Sequence, residues 1–175
     1  MGPKLIYPDR TIQHAGIVMG MTGHAYHLYA GAFLPGESLF LSPDIYRNVS
    51  AVTGACMLIR KDVFEHVGGF DERLKLIFND VELCQRVRQA GYCIVYTPSA
   101  ALIHYEGRSR SRYNPPDDIR LGADVLAAEI ERGDRYYNPN LSLAVGWPTF
   151  RRWFEPQAIK RLREIVQHSY DIARG

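Results

Sequence analysis

The sequence contains little cysteine, and its few cysteines have no spacing that would build a disulfide framework or a zinc site. Cys56, Cys84 and Cys93 are an odd number, and no two of them form a Cys-x-x-Cys pair. This pattern argues against both kinds of site. Each cysteine lies in an apolar stretch, so we expect three buried free thiols in a protein of the reducing cytoplasm.

Charge of one sign and long apolar runs are scarce as well. The formal net charge is +2, and the arginines at 108–112 and 151–152 are too few for a nucleic-acid-binding face, so we expect no nucleic-acid partner. No apolar run approaches the roughly 20 residues that span a bilayer, and no signal peptide opens the chain. These absences predict a cytoplasmic protein, attached at most peripherally to the inner face of the membrane.

The nucleotide-binding fingerprints are also missing, since the chain has no G-x-G-x-x-G, no P-loop and no Asp-x-Asp. A doubly wound nucleotide-binding half would need at least two βαβ units of about 30 residues each. That length is absent before Lys4. We therefore expect a chain that carries no nucleotide-binding half of its own.

The chain does contain interleaved strand and helix patterns, and 46% of its residues are hydrophobic, which suits a packed α/β or α+β domain. Periodicity predicts strands at 4–7, 12–21, 51–60, 92–97 and 100–103, helices at 61–67, 79–90, 117–132 and 157–173, and a long loop over 22–48. At the second helix, Asn79 is the predicted N-cap and Glu82 would complete a capping box.

A longer pattern extends from Val52 to Ser109. It contains Thr-Gly-Ala at 53–55, Gly-Gly-Phe-Asp-Glu at 68–72, an acidic helix start at Asp80, Ala-Gly-Tyr at 90–92, Tyr-x-Pro-x-Ala at 96–100 and a histidine at 104. In this order the motifs resemble those of the inverting family 2 glycosyltransferases. Residues 3–16 and 134–143 are also similar to that family, the latter to bacterial members that build surface polysaccharides of the cell envelope. The resemblance covers about four-fifths of the chain, which makes it more specific than any short motif.

The resemblance implies an α/β fold that is part of a GT-A domain. Residues 1–145 would form its C-terminal, acceptor-side part, and residues 146–175 an amphipathic helical tail. It also implies transfer from a nucleotide-sugar donor to a saccharide or lipid-linked acceptor with inversion, with a divalent cation (Mg²⁺ or Mn²⁺) in the full domain. Because the half that binds the nucleotide and supplies the Asp-x-Asp ligands is lacking, we expect the chain to be inactive alone.

The resemblance further assigns roles to individual residues. Asp80 matches the second acid of the family's acidic pair and is the predicted general base, because a carboxylate can accept the proton of an attacking hydroxyl. Asn79 replaces the first acid. His104 matches a histidine near the metal and diphosphate, and Arg108 and Arg110 would contact phosphate oxygens. The predicted sugar- and acceptor-binding residues are Thr53, Gly54, Ala55, Gly69, Phe70, Asp71, Glu72 and Asn79.

Structural roles are the alternatives for several of these residues. Asp80 would also be favourable in the first turn of a helix, where the dipole attracts negative charge. Asp71 and Glu72 would serve equally well to cap a turn, and Arg108 and Arg110 could equally be solvent-exposed residues of a loop. His24 and His27, with His14 upstream, are predicted to be surface histidines, since a metal site needs three or four converging ligands.

Two other functions stay open. The first is a non-catalytic binding or assembly module that dimerises through an exposed sheet edge or through the apolar face of the C-terminal helix. The second is a metal hydrolase that uses Asp80, His104 and the His24/His27 pair, which rests on residue type alone.

Overall fold

The computed structural model describes residues 1–33, 42–105 and 114–174. In chain order the elements are β1 (Gly2–Ile6), β2 (Ile12–His14), β3 (Ile17–Met19), a 3₁₀ turn (Met21–Gly23), β4 (Ala25–His27), β5 (Arg47–Asn48), α1 (Lys61–His66), α2 (Asn79–Gln89), β6 (Val95–Ile103), α3 (Pro116–Arg132) and α4 (Ala158–Arg174). The predicted mixed α/β class is confirmed.

A four-stranded mixed sheet in the order β2-β1-β6-β5 is the centre of the fold. Its inner strands β1 and β6 are parallel, with Leu5 beside Leu102 and Ile6 beside Ile103, while β2 and β5 flank them antiparallel. The strands β3 and β4 form a separate antiparallel hairpin. Because β1 and β6 end side by side, the chain leaves β6 at His104, whose backbone N–H donates to the Ile6 carbonyl at 3.0 Å.

The core lies between this sheet and the helices. Leu5, Ile12 and Tyr96 from three strands are at most 1% exposed, as are Leu83 of α2 and Leu126 of α3. The sequence explains the ends of α3, because proline at the first position needs no N–H partner and Gly133 adopts a positive φ of 81° at its end. The helices predicted at 61–67, 117–132 and 157–173 are confirmed to within a residue or two.

The strand predicted at 51–60 is wrong. Only Ala51 makes a β-bridge, to Ile17, and the chain then turns. The backbone N–H of Gly54 donates to the Asp80 carboxylate and that of Leu58 to the Met1 carbonyl, so neither joins a ladder. Apolar content predicted burial correctly only for residues 51–53, and Leu58 is 72% exposed; a strand also needs a neighbour along its edge.

The capping box predicted at α2 is also wrong. Phe78 occupies the N-cap position with φ 66°, and no side chain caps the helix. The Asn79 side chain accepts from the N–H of Asp80 at 2.8 Å, and Glu82 instead forms a bidentate ion pair with Arg86. Of the cysteines, only Cys84 is fully buried; Cys56 is partly buried, and Cys93 is exposed, contrary to prediction.

The apolar face of α4 lies against the rest of the molecule. Leu162 is 5% exposed, and Ile159 and Val166 pack on the core beside it. The predicted division at residues 145/146 stays a prediction, and so does an oligomer through α4 or a sheet edge. No helix within the described ranges is both long and apolar enough to cross a membrane.

Candidate active site

A cleft of about 620 Å³ opens between the β3–β4 hairpin, the start of α2 and the carboxyl end of β6. Seven of the predicted site residues line it: Thr53, Gly54, Ala55, Phe70, Asn79, Asp80 and His104. These residues come from four separate stretches of the chain. The fold therefore brings together the motifs that the resemblance singled out.

The carboxylate of Asp80 is fixed at the wall of this cleft by two backbone donors. Its Oδ2 accepts from the N–H of Gly54 at 2.7 Å, and its Oδ1 accepts from the N–H of Val81 at 2.8 Å. Gly54 also leaves little room beside the acid, since a Cβ there would lie 3.4 Å from the Asp80 Cβ. An ionised carboxylate has about four acceptor positions, so acceptor capacity remains for a hydroxyl in the cleft.

The loop before Asp80 is held from behind by a buried acid of α3. Asp118 is 1% exposed, and its carboxylate accepts from the N–H groups of Lys75, Leu76 and Ile77 at 3.1, 2.6 and 3.0 Å. Burial raises the pKa of Asp118, but these three donors outweigh burial, and the pKa lies below its ordinary value. The acid therefore stays charged and fixes the approach to α2.

Phe78 connects this support to the cleft. Its positive φ of 66° is unusual for a residue with a bulky side chain. Its ring packs so closely on α3 that a Cβ at Gly122 would lie 2.4 Å from it. Strained backbone persists only where surrounding contacts enforce it. Here those contacts are α3 at Gly122 on one side and the His24 ring, 6.2 Å away centre to centre, on the other.

The opposite wall contains residues that the sequence did not predict as part of the site, namely Gln13, His24, Tyr26 and His27. The prediction of surface histidines is wrong for His24 and His27, which are half-buried, and for His14, which is fully buried. Burial lowers the pKa of His24, only partly opposed by its hydrogen bond to the Ala25 carbonyl, so its ring is predominantly neutral near pH 7. Tyr26 stacks edge-on against it at 5.7 Å and offers an aromatic surface to the cleft.

His104 and Gln13 form a pair at the end of the sheet. The His104 Nδ1 lies 2.8 Å from the Gln13 Oε1. An amide oxygen only accepts, so this contact places the ring proton on Nδ1 and leaves Nε2 as the acceptor or ligand atom. No sequence signal marks Gln13, because β2 (Ile12–His14) has no apolar pattern against which a polar residue would stand out.

The residues described do not complete a metal site. Across 1–33, 42–105 and 114–174, no three His, Cys, Asp or Glu side chains converge as metal ligands. His104 offers a single nitrogen, whereas a stable site needs several ligands. Asp80, His104 and the His24/His27 pair therefore do not converge into the metal centre that the hydrolase alternative requires.

Other predicted site residues lie away from the cleft lining. Gly69 accepts at its carbonyl from Arg86 at 2.6 Å. Asp71 pairs with Arg73 at 2.7 Å, and this hydrogen-bonded guanidinium lowers the pKa of Asp71 to about 2. The Asp71 carboxylate also accepts from the Arg73 N–H at 3.0 Å, so Asp71 fits the turn-capping alternative, and Glu72 is exposed next to it. Arg108 and Arg110 lie outside the described residues.

Comparison with known sequences identifies a matching family model and several relatives of the chain. Residues 40–115 match the family model described as "Glycosyltransferase like family 2". The chain is 41% identical to the O-antigen biosynthesis protein RfbC of Myxococcus xanthus, over 98% of this chain and 14% of that protein. It is 42% identical to the N-acetylglucosaminyl-diphospho-decaprenol L-rhamnosyltransferase of Mycobacterium tuberculosis, over 64% of this chain and 39% of that protein.

A third relative, the uncharacterized protein y4gI of Sinorhizobium fredii, is 41% identical over 82% of this chain and 16% of its own length. The chain thus spans between 14% and 39% of the length of these three relatives. No solved structure matches the chain. The mixed sheet and its flanking helices are consistent with part of a glycosyltransferase-like fold.

Proposed function

The chain belongs to the family 2 glycosyltransferases, and on that premise we propose that it forms the acceptor side of a GT-A domain with Asp80 as the general base. The domain would transfer a sugar from a nucleoside-diphosphate sugar to an acceptor hydroxyl, inverting the anomeric carbon. The observation that carries the proposal is the fixed Asp80 carboxylate, held on the cleft wall by the Gly54 N–H at 2.7 Å.

In the proposed reaction the acceptor oxygen attacks the anomeric carbon from the face opposite the diphosphate. A new carbon–oxygen bond forms as the bond to the phosphate oxygen breaks, and the nucleoside diphosphate leaves with that electron pair. Asp80 accepts the proton that the hydroxyl loses. A positioned carboxylate contributes roughly 10²–10⁴-fold in such a step, and its two backbone bonds hold it oriented without using all its acceptor positions.

The cleft walls suit a sugar. The backbone at Thr53, Gly54 and Ala55 allows close approach because Gly54 has no side chain. Tyr26 and Phe70 line the cleft with aromatic surface, which packs against the apolar C–H face of a pyranose. Asn79, beside Asp80, offers an amide for a sugar hydroxyl.

The leaving diphosphate needs positive charge. We propose that Mg²⁺ or Mn²⁺ supplies it in the complete domain and that the Nε2 of His104 faces that group. No three described His, Cys, Asp or Glu residues converge as ligands, so further ligands would come from elsewhere. Arg108 and Arg110 remain proposed phosphate contacts.

The names of the relatives suggest the substrate class. One is an O-antigen biosynthesis protein, and another is a rhamnosyltransferase named for a lipid-diphosphate-linked sugar. We propose a deoxyhexose or hexose donor, an acceptor that is a saccharide or is linked to a lipid diphosphate, and a role in building cell-envelope polysaccharide on the cytoplasmic side of the membrane.

Calorimetric titration with uridine- and thymidine-diphosphate sugars, with and without Mn²⁺, tests the donor side. We expect the isolated chain to bind neither donor tightly and to show no turnover. Metal-dependent binding or turnover would contradict the expected inactivity and show that this chain builds a donor site by itself. In the full-length protein, transfer that survives Asp80→Asn unchanged would overturn the assignment of the base.

A further inference from the structure

A second surface, distinct from the cleft, is formed by residues 147–154, which we name the aromatic–arginine segment. Its four aromatic side chains are exposed, with Trp153 at 95%, Phe150 at 69%, Phe154 at 61% and Trp147 at 52%. Tryptophan is highly buried on average in soluble proteins. A group of exposed large aromatics marks an interaction surface.

The backbone of the segment is anchored to the preceding turn by hydrogen bonds. The N–H of Ser142 donates to the Thr149 carbonyl at 2.8 Å, and that of Arg151 donates to the Asn140 carbonyl at 3.0 Å. The carboxylate of Glu155, the one acid between residues 144 and 157, accepts from the Ser142 hydroxyl. This hydrogen bond holds Glu155 against residue 142, near Arg151 and Arg152 in the sequence.

Positive charge is concentrated at this end of the chain. Residues 147–163 contain five basic side chains (Arg151, Arg152, Lys160, Arg161, Arg163) and one acid, a net charge of +4, whereas the whole chain has +2. The rest of the chain is therefore net negative. Arg163 lies 3.7 Å from Glu131, and even with that charge offset the stretch exceeds the whole chain in positive charge.

The segment is also joined to the cleft. The N–H of Tyr29 donates to the Gly146 carbonyl at 2.7 Å, and Gly146 lies so close to the Tyr26 ring that a Cβ would come within 2.8 Å of it. Tyr26 lines the cleft, and so does Ile165 of α4. A surface bound at residues 147–154 would therefore lie near the cleft.

We propose that the aromatic–arginine segment docks on an anionic lipid bilayer. Indole and phenyl rings partition to the level of the headgroups, and guanidinium groups beside them pair with lipid phosphates while their stems remain apolar. Anionic lipids attract clustered arginines, which accounts for the local positive charge as well as for the aromatics. This docking does not depend on the proposed transfer reaction.

Co-sedimentation of the 175-residue chain with vesicles tests the proposal. We expect binding to phosphatidylcholine vesicles that contain about one-third phosphatidylglycerol, weak binding to pure phosphatidylcholine, and weakening as NaCl rises from about 50 to about 500 mM. Because each arginine near an anionic surface contributes about fivefold, Arg151→Gln with Arg152→Gln should lower the partition coefficient roughly 30-fold. Trp153→Ala with Phe154→Ala should lower it roughly tenfold or more.

Matched controls are Leu58→Ala, which removes an apolar side chain that is 72% exposed, and Lys61→Gln, which removes an exposed cation. Both should bind vesicles as the parent does, and thermal melts of all variants should coincide. Equal binding by the aromatic and control variants would overturn the proposal, as would no binding to anionic vesicles. Self-association in light scattering that these variants abolish, without vesicle binding, would instead assign the segment to a contact between copies of the chain.

Discussion

Two aspartates each lie in the first turn of a helix but have different roles. Asp80 lies in the first turn of α2 and Asp118 in the first turn of α3. Asp118 is 1% exposed and accepts from three backbone N–H groups, whereas Asp80 is half-buried, accepts from two and lines the cleft. The difference shows that residue type and helix position do not decide the role of an acid. Its surroundings decide, because only Asp80 retains both acceptor capacity and access to a ligand.

The sharpest test of this contrast is Asp80→Asn. The amide oxygen can still accept from the Gly54 N–H, but the amide nitrogen cannot accept from the Val81 N–H. The side chain also no longer takes a proton, so kcat should fall roughly 10²–10⁴-fold. Loss of the one backbone hydrogen bond should lower the free energy of unfolding by only about 1 kcal/mol. Release of nucleoside diphosphate by the full-length protein measures the first effect and urea denaturation the second. Asp62→Asn, at the start of α1, is the control and should alter neither.

Asp118→Ala should show the reverse pattern in stability. Three backbone donors would lose a charged acceptor inside the protein, so we expect a loss of about 3 kcal/mol and a Tm lower by roughly 6–12 °C. Asp117→Ala removes the neighbouring acid, which is 86% exposed, and should cost less than about 1 kcal/mol. If Asp118→Ala and Asp117→Ala had the same Tm, the supporting role assigned to Asp118 would be refuted.

Gly122→Ala probes the link between the two aspartates. The added methyl group would overlap the Phe78 ring, 2.4 Å away, and overpacking of this kind costs about 1–3 kcal/mol. Because Phe78 precedes the helix start that carries Asp80, activity should fall together with stability. Phe78→Ala in the same chain removes the ring atoms that the methyl group would overlap, so it should restore part of both. Additive losses from the two substitutions would show that the ring and α3 are not coupled.

The smallest expected effect is on the pH dependence of stability and comes from His14, a buried residue that contacts His27 of the opposite wall. Burial, with the positive charges of His27 and Arg47 nearby, holds the pKa of His14 well below its ordinary value. The unfolded chain therefore binds a proton below about pH 6.5 that the folded chain does not, so stability is retained above that pH and lost as pH falls. The slope should approach 1.4 kcal/mol per pH unit, and His24 adds in the same direction.

Urea denaturation at several pH values between about 7.5 and 5 gives the free energy of unfolding at each pH and hence this slope. His14→Gln should flatten the profile, whereas His168→Gln on the exposed face of α4 should leave it unchanged. A profile that stays equally steep without His14 would assign the acid sensitivity to other groups.

Motif order singled out residues that the fold brings together, whereas periodicity failed at two places in the backbone. Seven residues that the resemblance named line one cleft, and their roles stay predictions: Thr53, Gly54, Ala55, Phe70, Asn79, Asp80 and His104. The strand predicted at 51–60 and the capping box at Asn79 failed, because the Gly54 N–H bonds a distant carboxylate and Glu82 pairs with Arg86. Local patterns carry no information about partners that are distant in sequence.

The sequence by itself determined the α/β class, the helices α1, α3 and α4, and the family, because periodicity, helix-end residues and motif order are local properties. Only the tertiary structure decided which polar groups face the cleft. Gln13 contacts His104, which lies 91 residues further along the chain, and Asp118 binds the backbone of a loop about 40 residues before it. Such pairings follow from strand order and helix packing, where buried polar groups must find partners wherever the fold places them.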